Sequence, residues 1–222
     1  MNNVLRLGTR GSRLALWQAN TVAARVAAAG GPPCHIVVIK TSGDRIQDAP
    51  VSEVGGKRLF VKEIEDALLG GEIDLAVHSS KDLPAELPEG LVIAGVLPRE
   101  DPLDAVVLPL TSPDVRLKPD TTYSGVVSID QLTALLGPSP AIGTGSVRRI
   151  AQLIRLFPKA RFTPIRGNLD TRLRKLDNGE FDALVLAAAG LLRLGFASRI
   201  SLRLPASVSV PAPGQGIVAI ET

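Results

Sequence analysis

The chain has 222 residues, enough for one large domain or two of about a hundred residues each. A hydrophobic fraction of 45% supports a real core, and aromatics at 3% leave that core to Ala, Val, Leu and Ile and argue against a base-stacking nucleic-acid platform. The formal charge is only +3, the single cysteine excludes an intrachain disulfide framework and a cysteine zinc cluster, and no apolar run is long enough for a signal peptide or a membrane span, so a cytoplasmic protein is expected.

Val4 to Gly8 reads as a first strand. Thr9-Arg10-Gly11-Ser12 leads into a helix with apolar positions at Ala15, Leu16, Ala19, Val22, Ala23 and Val26, with Ser12 as its N-cap. Arg10 thus falls where a strand gives way to a helix N-terminus, a place suited to anions. His35 to Thr41 is a second strand, and polar, glycine-bearing residues 42–57 are expected to form a long mobile loop. Phe60, Ile64 and Leu68 mark a helix that ends at Gly70-Gly71.

Asp74-Leu-Ala-Val-His-Ser-Ser-Lys-Asp-Leu-Pro84 opens as a buried strand and closes on a charged pair, Lys81 and Asp82, directly before Leu83-Pro84. A strand that stops at proline after a charged pair delivers a carboxylate to a cleft in an α/β protein. Leu91 to Leu97 is a fourth strand. Strands alternating with helices imply a mostly parallel sheet.

Arg99-Glu-Asp-Pro102 starts a second series. Asp104 to Pro109 is a strand, Thr111 to Ser124 an irregular insert, and Ala141 to Ser146 a strand entering a glycine turn. A helix follows from Val147 to about Phe157, with Ile150, Leu153, Ile154 and Phe157 on its apolar face. Arg148 and Arg149 sit in its first turn, where the macrodipole disfavours cations unless an anion offsets them. Arg161 to Ile165 is a strand, Asn168 caps a helix with Leu169, Leu173 and Leu176 inward, and Asp182 to Leu186 is a strand running toward Arg193. From Ala141 to Ile200 there are eleven basic residues against four acids, nearly all arginine. Arginine forks suit carboxylates and phosphates, so a small anionic ligand is favoured. Gly214 to Ile220 is a last strand with no helix after it, and the simplest topology returns it to the first domain. Residues 1–99 plus 215–222 and residues 100–214 are therefore expected to be two βαβ-type domains on a double hinge, with ligand bound between sheet edges.

Seven stretches are similar to the hydroxymethylbilane synthase (porphobilinogen deaminase) family, in family order over nearly the whole chain. They are Leu7–Gln18, Gly55–Glu63, Ala76–Pro84, Arg99–Pro102, Ile142–Arg149, Ile165–Arg172 and Pro211–Gly216. The resemblance implies a fold like the type II periplasmic binding proteins and a transferase of tetrapyrrole, and so heme, synthesis. Such an enzyme joins four porphobilinogen molecules head to tail with loss of ammonia. It implies a monomer that binds porphobilinogen and oligopyrrole intermediates, with no nucleic acid and no membrane. It implies Asp82 as the catalytic carboxylate, contacting pyrrole N–H groups and stabilising the cation formed as ammonia leaves. It further implies Ser79, Lys81, Asp82, Thr144, Ser146, Arg148, Arg149 and Arg172 as dipyrromethane contacts. Arg10, Ser12, Gln18, Arg166, Arg172 and Arg193 are implied as substrate contacts, and residues 42–57 as the loop over the cleft.

One departure stands out. The family's C-terminal domain, whose cysteine tethers the dipyrromethane primer, is not matched by this sequence. Cys34 opens the second strand, at the sheet edge opposite Asp82, and a five- to six-residue strand spans about 17–20 Å. The expectation is therefore a two-domain synthase holding dipyrromethane non-covalently, through arginine–carboxylate pairs. The alternative is a non-catalytic binding protein for pyrrole carboxylates or another small polyanion. Asp82 beside Lys81 favours the enzyme, because an anion binder gains nothing from an acid in a basic cleft.

Overall fold

Small branched side chains pack strands against helices without bulky rings, and the chain does this twice. The computed structural model describes residues 4–45, 61–110 and 128–222. They divide into two units, Met1–Glu100 with Pro213–Thr222, and Asp101–Ala212.

In the first unit β1 (Leu5–Thr9), β2 (Cys34–Val38) and β3 (Leu75–Ser79) are parallel, with Leu7 beside Ile36 and Gly8 beside Ala76. The last strand, β10 (Val218–Glu221), inserts antiparallel between β3 and β4 (Ile93–Val96), giving the order β2-β1-β3-β10-β4. Helix α1 (Arg13–Ala28) covers one face, where Ala19 and Val22 meet Leu7, Val77 and Val218. Helix α3 (Lys62–Leu69) covers the other through Ile64 and Ala67, against Ile73 and Ala76. Successive residues of β3, Ala76 and Val77, thus enter different clusters, as the two-residue period of a strand requires.

The second unit repeats this order as β7-β6-β8-β5-β9, with β5 (Asp104–Val107) antiparallel to both its neighbours, β8 and the edge strand β9 (Leu202–Leu204). Strands β6 (Ala141–Gly143), β7 (Arg161–Thr163) and β8 (Ala183–Ala187) are parallel. Their following helices are α5 (Val147–Leu153), α6 (Leu169–Asp177) and α7 (Ala188–Arg193). Leu184 on one face of β8 and Val185 on the other anchor separate clusters. Burying such side chains contributes about 1.5–3 kcal/mol each.

Several expectations change. Ser42–Arg45 is a short helix, α2, and not loop, while the rest of the expected mobile loop lies outside the described residues, as does the Thr111–Ser124 insert. Glu63 Oε1 accepts from Ser42 N at 2.7 Å and from the Ser42 hydroxyl, tying α2 to the start of α3. Helix α5 ends at Leu153, and Ile154 is 48% exposed, off the apolar face. Asn168 occupies the N-cap position of α6 without a side-chain capping bond. Two elements were not foreseen. Helix α4 (Ile129–Leu136) starts at a capping box between Ser128 and Gln131, and β9 (Leu202–Leu204) pairs with β5.

Candidate active site

The first unit gathers five of the expected residues around one concavity. Arg10 follows β1, and Ser12 caps α1 by accepting from Ala15 N at 3.2 Å. One and a half turns on, the buried Gln18 amide donates to Ser79 Oγ at 2.8 Å, joining α1 to the end of β3. Ser80–Asp82 then forms a single 3-10 turn. Arg10, Ser12, Gln18, Ser79 and Asp82 line a concavity that opens to solvent, with Val61 and Val77 also in its wall. Lys81 is half-buried beside Asp82 and outside that lining.

The Asp82 turn is fastened on both sides. Ser80 N donates to Ile217 O at 3.0 Å, and Leu83 N closes the turn onto Ser80 O at 3.2 Å. Leu83 is buried against Val61 and Ala219. The Gly214-Gln-Gly216 turn presses on it from behind: Gly214 has φ +71° and its missing side chain leaves room for Ser80, while Gly216 has φ +86° against Glu100 O. The Arg99 guanidinium donates to Gln215 O at 2.9 Å and Glu100 N to Gly216 O at 2.9 Å. The motif Pro211–Gly216 therefore holds the acid's backbone in place. Next to Ser79, His78 Nε2 lies 2.9 Å from Glu221 Oε2, and both side chains are buried. The approach is bent away from hydrogen-bond geometry.

In the second unit Thr144, Ser146 and Arg148 follow β6, Arg166 and Arg172 follow β7, and Arg193 ends the helix after β8. Thr144, Ser146, Arg148 and Arg166 stand just beyond the C-terminal ends of parallel strands, where α/β proteins bind ligands, whereas Arg172 lies within α6 and Arg193 is the last residue of α7. Thr144 is buried and its hydroxyl accepts from Ser146 N at 3.3 Å. Arg172 Nε donates to Gly167 O at 2.8 Å, which orients the guanidinium across the loop.

The anion that offsets Arg148 and Arg149 comes from the protein itself. Asp104 opens β5, is fully buried, and accepts from Arg148 Nη1 at 2.7 Å, Arg148 Nη2 at 3.1 Å, Arg149 Nε at 2.9 Å and Ser209 Oγ at 2.9 Å. Arg149 Nη2 is also 2.8 Å from it, and Arg149 Nη1 donates to Val185 O at 2.9 Å. Burial pulls the Arg149 pKa below the ordinary guanidinium value, and Asp104 works against that. Asp104 and Ser209 were missed from the sequence. The available signal was an acid at the head of an otherwise apolar strand.

Cys34 lies at the first position of β2, opposite Leu5, so it stands at the sheet edge remote from the end of β3 that leads to Asp82. Burial raises its thiol pKa, which lowers its thiolate fraction. Among the described residues no group of three metal-ligating side chains occurs, and no helix is long and apolar enough to cross a membrane.

Comparison with known proteins gives these positions a context. Residues 5–222 match the model for "Porphobilinogen deaminase, dipyromethane cofactor binding domain". The porphobilinogen deaminase of Geobacter metallireducens is 48% identical over 98% of this chain and 62% of its own length. That of Francisella tularensis subsp. holarctica is 45% identical over 98% of this chain and 66% of its own. The chain thus spans under two thirds of the length of these relatives. The BenM effector-binding domain, solved with benzoate, covers 99% of this chain and 82% of its own with a TM-score of 0.54 at 15% identity. That likeness shows the fold alone, the two-unit α/β class expected by analogy with type II periplasmic binding proteins. By family model and by sequence identity, the chain belongs to the porphobilinogen deaminase family.

Proposed function

We propose that this protein is a hydroxymethylbilane synthase, joining four porphobilinogen molecules head to tail with release of ammonia, and that Asp82 is its catalytic carboxylate. The observation that carries the reading is that one concavity is lined by opposite charges, Asp82 on a braced turn and Arg10. Porphobilinogen carries carboxylates on its ring substituents and an N–H on the ring itself. Arg10, with Ser12 beside it, suits the carboxylates, and Asp82 suits the N–H.

When the aminomethyl C–N bond breaks, its electron pair leaves with ammonia and positive charge spreads over the pyrrole nitrogen. A fixed carboxylate accepting from that N–H stabilises the charge as it develops. Gln18, through Ser79, keeps the turn carrying Asp82 in register. After the new carbon–carbon bond forms, the ring loses its α-proton, and the Asp82 carboxylate receives it on the way to ammonia. The cation is a poor species to meet water, and Val61 and Val77 contribute apolar surface to the wall.

The donor set also fits a dipyrromethane, whose carboxylates need arginine forks and whose N–H groups need an acceptor. Dipyrromethane, when bound, supplies the free pyrrole α-carbon on which the chain grows. Ser79, Lys81, Asp82, Thr144, Ser146, Arg148, Arg149 and Arg172 would hold it, and Arg10, Ser12, Gln18, Arg166, Arg172 and Arg193 would hold substrate. Residues 1–99 with 215–222 contribute the acid, and residues 100–214 the carboxylate-binding arginines. Within these 222 residues the primer is held by charge-assisted hydrogen bonds, about 1.5–3 kcal/mol each, and not by Cys34. The protein acts as a cytoplasmic monomer.

Mass spectrometry of the purified chain under native and denaturing conditions tests this. A dipyrrole-sized adduct in the native spectrum that disappears on denaturation is expected. An adduct surviving denaturation overturns non-covalent retention. An adduct without ammonia release from porphobilinogen overturns the enzyme and leaves a carboxylate-binding protein.

A further inference from the structure

Two arginines in the first turn of one short helix look like two ligand forks. Their hydrogen bonds divide them. Asp104 has about four lone-pair sites for its donors, and the two guanidiniums with Ser209 fill them. Arg149 approaches side-on, with Nε and Nη2 both turned to Asp104 and Nη1 turned to the β8 carbonyl of Val185. Its side chain is 10% exposed. Arg148 approaches end-on through Nη1 and Nη2, and its Nη1 also donates to Val210 O. This leaves its Nε–H edge without a partner among the described residues, on a side chain 25% exposed. One carboxylate against two guanidiniums leaves a single positive charge, and it emerges on the Arg148 side.

We infer that Asp104 is the positioning residue of this arginine pair, and that of the two arginines only Arg148 presents a fork to a ligand carboxylate. Arg149 acts through Asp104, as the strut that fixes the acid to β8. The inference rests on the proposed carboxylate-binding role of this unit and refines it: the contact proposed above for Arg149 becomes an indirect one through Asp104, which leaves one carboxylate at this position. Ser209 and Gln152 complete the arrangement. Gln152 Oε1 accepts from Val210 N at 2.7 Å and its Nε2 donates to Val210 O at 3.3 Å, so the segment that brings Ser209 to Asp104 is clasped to α5. A rigid acid on one edge of Arg148 leaves its other edge pre-aimed, which lowers the ordering cost of binding.

Nitrogen-15 spectra of arginine side chains, recorded with the whole chain, read this without turnover. The probe is citrate, a small polycarboxylate. In the wild type the Arg149 Nε–H resonance is expected to exchange slowly with solvent and to stay in place as citrate is added. The Arg148 Nε–H resonance is expected to exchange fast and to shift to saturation. Arg148→Lys should weaken citrate binding about tenfold or more, the loss of one charge-assisted fork, with little change in Tm. Arg149→Lys should lower Tm. Asp104→Asn should speed exchange at Arg149 and broaden Arg148, and Asp104→Glu should restore part of the order. If Asp104→Asn does not fold, Ser209→Ala removes one donor from the same carboxylate and should loosen Arg148 in the same direction. Citrate shifts at Arg149 equal to those at Arg148, or none at Arg148, would overturn the inference. A protein that releases no ammonia yet shows the predicted asymmetry would refute the proposed enzyme and leave this assignment standing.

Discussion

Gln18 Nε2 donates to Ser79 Oγ at 2.8 Å, across 61 residues of sequence, and both residues line the concavity that Asp82 enters. The amide is 2% exposed, so this bond is made where water does not compete. Gln18→Met keeps most of the volume and leaves the serine hydroxyl with one partner fewer. A loss of about 1–3 kcal/mol is expected from urea unfolding, with a fall in turnover because the strand end before Asp82 is less fixed.

Gly216 sits at φ +86°, and a methyl group there would run into Glu100 O. Its backbone carbonyl accepts from Glu100 N, so the turn cannot move away without losing that bond. Gly216→Ala should cost about 1–3 kcal/mol from backbone strain alone, measured by thermal or urea unfolding. Turnover should fall further than stability, since this turn braces Ser80.

Arg6 holds Asp74 through two side-chain hydrogen bonds and one backbone bond, and brings its carboxyl from 3.8 to about 2. A carboxyl with a depressed native pKa stabilises the fold above its unfolded value, and that contribution disappears as pH falls from about 4 to about 2. Asp74→Asn should therefore be less stable than wild type at neutral pH, by an amount limited by its partial exposure, and the two should converge near pH 2. Stability curves of both proteins from pH 7 to pH 2 check this.

Cys34 is turned toward Pro32 O at 3.9 Å, at the start of β2. Cys34→Ser should leave the native-state dipyrrole adduct and its loss on denaturation unchanged. Loss of the adduct in this variant, seen by mass spectrometry, would place the tether at Cys34.

Much of this was legible because the local signals agree with the packing. Ser12 caps α1 where the apolar period begins, and the unpaired last strand could only join an existing sheet. Asp82 was legible as an acid at a strand end, and the resemblance gave it a role. Other features depend on tertiary contact and have no local trace. The arginines of α5 signalled an anion correctly, but whether that anion is a ligand or a buried Asp104 is decided by β5, which lies 44 residues earlier in the chain. Asn168 has the right identity for a cap but its side chain does not turn back. Helix α4 does have a local trace, the capping box of Ser128 and Gln131, but it is a short helix of eight residues with only Leu132 fully buried.

In the proposed function Asp82 carries the chemistry while the arginines hold the ligand. Ammonia release from porphobilinogen in a single turnover, compared between wild type and Asp82→Asn at equal dipyrrole content, tests it most directly. The substitution preserves shape and removes the charge, so the variant is expected to fold, to bind substrate, and to release ammonia about a hundredfold more slowly or worse, in the range of losing a principal electrostatic group. Equal rates in the two proteins would contradict the account.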